Sequence, residues 1–354
     1  MRTGRADLPL HTGRAPAWLF ERMRLLAREI GRAVVEEEGP QGLLRRAADP
    51  FWFQAFGCVL GFDWHSSGLT TTACGALKEG LRPLFGELGI VVAGGKGKTS
   101  RRTPAEIESA CDSMGLDPAP LVRASRLSAK VDSSAVQDGY EVYHHSFLFS
   151  SDGSWTVVQQ GMNQSNGMAR RYHWHTPPTF VSDPHAGVAG RAERDVTNLV
   201  AAGGARNRDV SVELAREEPS KVAGEILRMR SLDMPRHHFV RFADLHPDRV
   251  ERVLLKAYEA QPEDYTSLLA VPGVGAKGLR ALALVAEVTY GAPASVKDPV
   301  SFSFAHGGKD GTPFPVDRKT YDATIESLRK AVDDAQAGRS DKRDALRRLA
   351  KLQT

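Results

Sequence analysis

The chain has 354 residues, of which 41% are hydrophobic and 25% are charged, and its formal net charge is only +4. This composition is typical of a globular protein long enough for two or more domains, and the small net charge excludes a basic field over the whole surface. The three cysteines lack CxxC spacing, and there is no long apolar run or signal-peptide core, so we expect a cytoplasmic protein with no disulfide framework, zinc ribbon or membrane partner.

The first predicted elements are a helix and an apolar region. Residues 17–49 carry apolar and charged residues at helical spacing, which predicts a helix. Residues 50–89 are aromatic, glycine-rich and poor in charge, which indicates buried core with loops. A short buried strand is predicted over residues 90–95. Thr103, with Glu106 three positions later, forms a capping signature that predicts the start of another helix.

The clearest β pattern lies between residues 140 and 163. Two runs of β-forming residues flank the turn sequence Ser-Asp-Gly-Ser, which predicts a β-hairpin. From about residue 185 the composition becomes charged and helical, apart from a long polar loop over residues 292–317. We therefore predict an α+β fold, with a mixed α/β catalytic domain over residues 1–215 and an all-helical domain over residues 216–354.

Acidic and basic side chains suited to phosphodiester hydrolysis are concentrated in the N-terminal half. Carboxylates and imidazoles near a hairpin suit a divalent metal ion that activates water. The predicted catalytic residues are Asp63, His65, Lys130, Asp132, Asp138, Glu141, His144 and His145. The predicted ligands of a Mg²⁺ or Mn²⁺ ion are Asp63, Asp138, Glu141 and His145. Each residue could equally be an interior hydrogen-bonding group, because an unpaired buried polar group costs about 1–3 kcal/mol.

Two basic segments are candidate phosphate contacts. The sequence GGKGKTSR lacks the first glycine of a Walker loop, but its Lys96, Lys98 and Arg101 suit a phosphate backbone. A solvated basic loop would have the same composition. Arg170 and Arg171 stand beside aromatic residues, a combination that can follow phosphates and stack on bases. For this second segment, a partly exposed structural loop is the alternative.

The sequence PGVG at residues 272–275 lies between two apolar segments with helical spacing. Gly273 and Gly275 allow a tight turn, and the amides of Val274 and Gly275 would then be uncovered at the start of a helix, where an anion is favoured. An ordinary glycine turn between two helices is the alternative. The order of helix, PGVG, Lys277 and helix resembles the helix-hairpin-helix module, and this resemblance implies binding of the DNA backbone without regard to sequence.

The C-terminal segment is also similar to the helix-hairpin-helix DNA glycosylase superfamily. In that superfamily, a hairpin ending in GVGxK is followed by a loop rich in glycine and proline and by an essential aspartate. The resemblance implies that Lys277 attacks the sugar carbon of an abasic site, with Asp317 as its carboxylate partner. The forty residues between Lys277 and Asp317 depart from the superfamily's pattern and would have to fold away from the site.

Three long motifs extend the comparison to nearly the whole chain. They are DPFWFQAFGCVLGFDWHSSGLTTTACGALKEGLRP, SAKVDSSAVQDGYEVYHHSF and FAHGGKDGTPFPVDRKTYD. In these motifs the chain resembles a bacterial and archaeal family catalogued as domain of unknown function 763. The resemblance implies that the two halves belong together as one protein, but it implies no activity.

The leading prediction is a protein of DNA repair or processing. It would bind DNA through its helical domain and cut DNA at a metal-dependent phosphodiesterase site in its N-terminal domain. One alternative is a metal-independent glycosylase or abasic-site lyase, and another is a DNA-binding protein without enzymatic activity. A small-molecule enzyme also stays open, because glycine turns and histidines would suit a carbohydrate or nucleotide pocket. The sequence is compatible with an oligomer.

Overall fold

The computed structural model describes residues 15–62, 66–194, 196–229, 247–302, 318–335 and 338–350. In this part of the chain the α-helices are α1 (Ala17–Ala48), α2 (Pro50–Leu60), α3 (Gly68–Leu81), α4 (Phe85–Leu88), α5 (Thr103–Met114), α6 (Ala119–Lys130), α7 (Ala205–Ala215), α8 (Pro219–Arg228), α9 (Pro247–Ala260), α10 (Tyr265–Ala270), α11 (Ala276–Tyr290), α12 (Arg318–Asp334) and α13 (Arg339–Ala350). The strands are β1 (Ile90–Lys96), β2 (Val136–Gln137), β3 (Glu141–Ser150), β4 (Trp155–Asn163), β5 (Met168–His175), β6 (Gly187–Ala189) and β7 (Thr197–Asn198). The predicted α+β class is confirmed.

Five strands form one antiparallel sheet in the order β1-β3-β4-β5-β6, and β2 pairs with β7 in a separate ladder. The predicted hairpin is the β3–β4 pair. At its turn, Ser150 N donates to Ser154 O at 3.0 Å, and Gly153 has a φ of +83°, which glycine adopts without a steric penalty. The predicted hairpin is therefore confirmed, and it forms the middle of the sheet.

Both faces of the five-stranded sheet are covered by helices. Along β3, Phe147 and Phe149 belong to one apolar cluster and Leu148 to another, because successive side chains of a strand point to opposite faces. The first cluster includes residues of α5 to α11, and we call this side of the sheet the α11 face. The second includes residues of α1 to α3, α12 and α13, and we call this side the α1 face. Polar side chains within the strands must therefore find partners inside the protein.

Helix α1 confirms the predicted helix over residues 17–49, but it is kinked. Its apolar stripe includes the buried Met23 and Ile30. Gly39 leaves the helical conformation with a φ of +74°, and Pro40 follows it within the helix. Because proline has no amide N–H to continue the hydrogen-bond ladder, the kink falls at this pair.

Residues 50–89 contain the helices α2 and α3, where the sequence indicated core with loops. Asp49 caps α2, since its carboxylate accepts from Phe51 N at 2.8 Å and from Trp52 N at 3.3 Å, with Pro50 at the first helical position. All 11 residues of α2 are buried. The helix therefore has no polar face and lacks the amphipathic period by which helices are predicted.

Thr103 begins α5, as predicted, but it does not cap the helix through its side chain. Its hydroxyl donates to Ser100 O at 2.7 Å. Glu106 instead accepts from Lys78 Nζ at 2.6 Å and from Gly94 N at 2.8 Å. The capping signature thus predicted the helix correctly, but Glu106 connects α5 to α3 and β1 rather than closing the helix end.

The segment after α11 returns to the edge of the sheet, where Ser301 N donates to Val188 O at 3.0 Å. Helices from both sides of residue 215 share one apolar cluster, which includes Val210 and Leu282. The division of the chain near residue 215 stays a prediction. Within the described ranges, no helix is both long and apolar enough to cross a membrane.

Candidate functional site

Two predicted catalytic residues, Asp132 and His145, are linked under the α11 face. The Asp132 carboxylate accepts from Gln159 Nε2 at 2.5 Å and Trp174 Nε1 at 2.9 Å, and it lies 2.6 Å from His185 Nε2. Gln159 Oε1 is 3.0 Å from His145 Nδ1, and the other ring nitrogen of His145 is 2.9 Å from a serine hydroxyl of α6. Both oxygens of Asp132 and both ring nitrogens of His145 therefore have partners inside the protein.

This Asp132 network is almost wholly enclosed. Asp132 is fully buried in the π-helical turn that follows α6. Burial lowers the pKa of His145, so this imidazole is held neutral. His185, which the predicted set lacks, contacts Asp132 directly and packs 4.5 Å from the Trp174 ring. In this geometry the polar atoms of Asp132 and His145 are all hydrogen-bonded to other interior groups, so the network has the form of a structural hydrogen-bond network.

Asp138 lies in a second buried network, with Arg170. Asp138 Oδ2 accepts from Arg170 Nη1 at 2.7 Å and from the Tyr172 hydroxyl at 2.7 Å, and both ion-pair side chains are 0% exposed. Arg170 Nη2 also donates to Asp298 Oδ2 at 2.8 Å. Burial opposes the charge on Arg170, but Asp138 and Asp298 outweigh it and raise its pKa. Arg170 thus binds carboxylates of the interior, and its burial does not agree with the predicted contact to DNA.

Arg171 points to the opposite face of the sheet and is also fully buried. It donates to His173 Nε2 at 2.8 Å and to Gln54 Oε1 at 2.9 Å, and its guanidinium lies 4.8 Å from the Phe53 ring. Burial lowers the pKa of Arg171 to about 9. Residues 168–175, which include both arginines, form a strand rather than a partly exposed loop, and both guanidiniums are buried away from the surface at which a phosphate backbone would bind.

Two other predicted catalytic side chains, Glu141 and Lys130, do not join these networks. Glu141 is exposed at the first residue of β3, and burial lowers the pKa of the half-buried Lys130 at the end of α6. Asp63 and His65 lie outside the described residues. Within the described residues, no three histidine, cysteine, aspartate or glutamate side chains are placed to hold a metal ion. The Mg²⁺ or Mn²⁺ site stays a prediction.

The glycine-rich sequence GGKGKTSR forms the end of β1 and the turn after it. A Cβ at Gly94 would lie 2.2 Å from a carbonyl oxygen of β3, and the φ of Gly94 is +86°, so this position requires glycine. Lys96, Lys98 and Arg101 are all exposed. Their predicted contact with a phosphate backbone is compatible with this exposure and stays a prediction.

A cleft of about 620 Å³ opens beside this turn, between β1, the side of α3 and the first turns of α1. On its floor, Ser146 Oγ lies 3.1 Å from His144 Nε2. His144 is 1% exposed, and burial lowers its pKa to about 3. The imidazole is therefore neutral near pH 7. Its Nδ1 is a buried atom with no hydrogen-bond partner among the described residues.

The sequence PGVG forms the turn between α10 and α11, so the two helices predicted around it are present. Gly273 has a φ of +91°, and Val274 is fully buried beneath the turn. Gly275 precedes α11 in an extended conformation, and no side chain caps the helix. Lys277 is exposed in the first turn of α11. Asp317, its predicted partner, lies outside the described residues.

One family comparison accounts for most of the chain. The sequence profile of a family described as "Protein of unknown function (DUF763)" matches residues 4–316. The chain belongs to the DUF763 family. No match is found among curated proteins or solved structures. The predicted membership of this DUF763 protein is therefore confirmed, whereas its resemblance to helix-hairpin-helix proteins stays a prediction.

Two features of the DUF763 protein were not predicted from its sequence. The first is Lys256 on α9. Its ammonium lies against the glycine turn, although the whole of α10 separates the two in the chain. The second is the role of α3, which forms one wall of the cleft. The small residues Thr71, Cys74 and Gly75 recur at helical spacing and could have indicated this face, but the helix itself was not predicted.

Proposed function

We propose that the glycine turn at residues 271–275, together with Lys256 and Lys277, binds the phosphate backbone of DNA without regard to sequence. The observation that carries this proposal is the position of Lys256. Its Nζ lies 2.9 Å from the point where a Cβ of Gly273 would stand. The cation is thus held against an exposed turn, and among the described residues it has no ion-pair partner.

The backbone of the turn supports the same proposal. Nothing lies within 4 Å of a Cβ built on Gly275, so space is open directly beside the amide that begins α11. Helix α11 has 15 residues, and its first amides have no side-chain cap. Its dipole therefore favours an anion at this end, and a phosphate could approach the backbone closely.

The proposal concerns binding rather than catalysis. A lysine acts as a nucleophile when its environment removes its proton, usually in a desolvated pocket, and Lys277 is exposed. The abasic-site lyase is therefore less well supported than a phosphate contact by the same lysine. The metal-dependent nuclease stays a prediction. It is tested by adding Mg²⁺, Mn²⁺ or EDTA to the binding assay described below and examining the recovered DNA for cleavage on a denaturing gel.

The sharpest test is Gly275→Ala. Gly275 has a φ of −119° and a ψ of −173°, which any residue adopts, and an added methyl group would touch nothing. We expect its free energy of unfolding to stay within about 1 kcal/mol of wild type. If a phosphate sits on the amides, the methyl group would intrude between backbone and phosphate, and the affinity for duplex DNA should fall by about tenfold.

Gly224→Ala is the matched control, because a methyl group there also meets open space but lies within α8 rather than in the glycine turn. Fluorescence anisotropy with labelled duplex DNA would compare the variants. Lys256→Ala and Lys277→Ala should each reduce the slope of log K against log salt by about 0.9, whereas Lys330→Ala on α12 should not. Equal affinity of wild type, Gly275→Ala and Lys256→Ala would refute the proposal.

A further inference from the structure

The cleft beside β1 is separate from the DNA-binding surface proposed above. It lies on the α1 face of the sheet, whereas the glycine turn and α11 belong to the α11 face. Its volume of about 620 Å³ is in the range of small-molecule sites, about 300–1,000 Å³. The cleft therefore has room for a ligand of its own.

Among the cations that line the cleft, Lys96 differs from the other two. Lys78 donates to Glu106 at 2.6 Å, and Arg24 donates to Glu21 at a distance of 2.5 Å. Lys96 lies over the Tyr143 ring, 5.6 Å from its centroid. The described residues supply Lys96 with no carboxylate partner. Its positive charge is thus available to an anion in the cleft.

Hydroxyl groups surround the same end of the cleft. Thr71, Thr99 and Ser146 line it together with Lys96. Ser146 is itself 2% exposed and is oriented by the neutral imidazole of His144 behind it. Thr71 donates its hydroxyl hydrogen to Gly68 O at 3.2 Å, so the donors left for an anion at this end are the Lys96 ammonium and the Thr99 and Ser146 hydroxyls. Together they suit the three terminal oxygens of a phosphate monoester.

The other end of the cleft is acidic. Glu79 and the Glu21–Arg24 pair line it, and Glu79 follows Thr71 by eight residues on α3, which corresponds to about 12 Å along the helix. Between the two ends, Gly75 and Phe20 form an apolar wall. A ligand that fits this arrangement carries an anion at one end and hydrogen-bond donors, such as amino or hydroxyl groups, about 12 Å away.

We propose that the cleft binds a phosphorylated small molecule of mononucleotide size, with its phosphate at Lys96 and its hydrogen-bond donors toward Glu79. Gly94 brings β1 against β3 without a side chain, and Gly75 leaves the middle of the cleft open. The buried Ser146–His144 pair supplies a fixed hydroxyl at the phosphate end.

Isothermal titration calorimetry with adenosine 5′-monophosphate, adenosine and inorganic phosphate tests this proposal. We expect the monophosphate to bind wild type at least about tenfold more tightly than adenosine does. Lys96→Gln should weaken that binding by about tenfold or more. Lys98→Gln is the matched control, because Lys98 is exposed on the same turn but does not line the cleft, and it should change the affinity by less than about twofold.

A second variant blocks the cleft without removing any charge. A Cβ on Gly75 would lie 3.8 Å from Phe20, an ordinary contact, and the rest of a leucine side chain would extend into the cleft that both residues line. We therefore expect Gly75→Leu to fold and to abolish binding of the monophosphate. Gly75→Leu keeps Lys96 and should not affect the binding of duplex DNA, which separates this proposal from the DNA-binding one. The proposal is overturned if monophosphate and inorganic phosphate both fail to bind wild type, if Lys96→Gln and Lys98→Gln have equal effects, or if Lys96→Gln weakens DNA binding instead.

Discussion

The buried histidine His144 should make the folded protein sensitive to mild acid. Its pKa is lowered to about 3 by burial, from an ordinary value of 6.5. Between these two values the unfolded chain binds a proton that the folded protein does not. The free energy of unfolding must therefore fall as the pH drops below about 6.5, and the loss continues until the folded-state pKa is reached.

The size of this effect follows from the shift. Once His144 is protonated in the unfolded chain, each further drop of one pH unit lowers the free energy of unfolding by about 1.4 kcal/mol. Over the whole window between the two pKa values the loss is about 5 kcal/mol. A typical domain has only about 5–15 kcal/mol of stability. Because His145 and His173 are also buried with lowered pKa values, we expect acid unfolding well above pH 3.

The assay is urea unfolding followed by tryptophan fluorescence at several pH values between 5.0 and 7.0. His144→Gln keeps a neutral polar side chain but removes the titrating group, so its stability should fall less steeply with decreasing pH, by roughly 1 kcal/mol per unit. Val92→Ala on the same face of the sheet removes no titrating group, and its curve should run parallel to wild type. If His144→Gln also ran parallel to wild type, the reasoning about His144 would be wrong.

Three further predictions concern the interior. Asp138→Ala should lower the free energy of unfolding in urea by about 3–5 kcal/mol, because it removes one of the two carboxylates that bind the buried Arg170 and leaves the buried Tyr172 hydroxyl without its acceptor. Glu141→Ala at an exposed position should cost less than about 0.5 kcal/mol, and equal losses would contradict a structural role for Asp138. Gly94→Ala should lower the melting temperature of the protein more than Gly153→Ala does. Both glycines have positive φ values, but only at Gly94 would an added Cβ clash with a strand carbonyl, and similar melting temperatures would contradict this. Cys74 should not react with a thiol reagent at pH 8 until the protein is unfolded, because burial raises its pKa to about 12, and rapid labelling of the native protein would contradict this.

Features with a local signature were predictable from the sequence. The β3–β4 hairpin is encoded by two β-rich runs and a Ser-Asp-Gly-Ser turn, and α1 by an apolar stripe at helical spacing. The PGVG turn likewise lies between two helices, because the glycine-containing turn interrupts two apolar helical patterns. In each case the residues that determine the structure are close together in the chain.

Features that depend on distant partners were not predictable. Apart from Gln54, helix α2 is apolar on every side, because the sheet, α1 and α13 enclose it, so its sequence has no amphipathic period. Arg170 bonds to Asp138 on one side and to Asp298, more than a hundred residues away, on the other. No spacing rule connects these three residues, since only the folded sheet edge brings them together.

The same argument explains why polar residues in the strands resembled a catalytic centre. A sheet covered on both faces can hold Asp132, Asp138 and Arg170 only if each finds charged or hydrogen-bonding partners inside, and those partners are again histidines, carboxylates and amides. An interior network and an active site therefore use the same residue types in the sequence. The two differ in whether a charged group at the surface is left without a partner. Among the described residues, Lys96 and Lys256 are exposed and have no carboxylate partner, whereas the charged groups of the buried networks are paired.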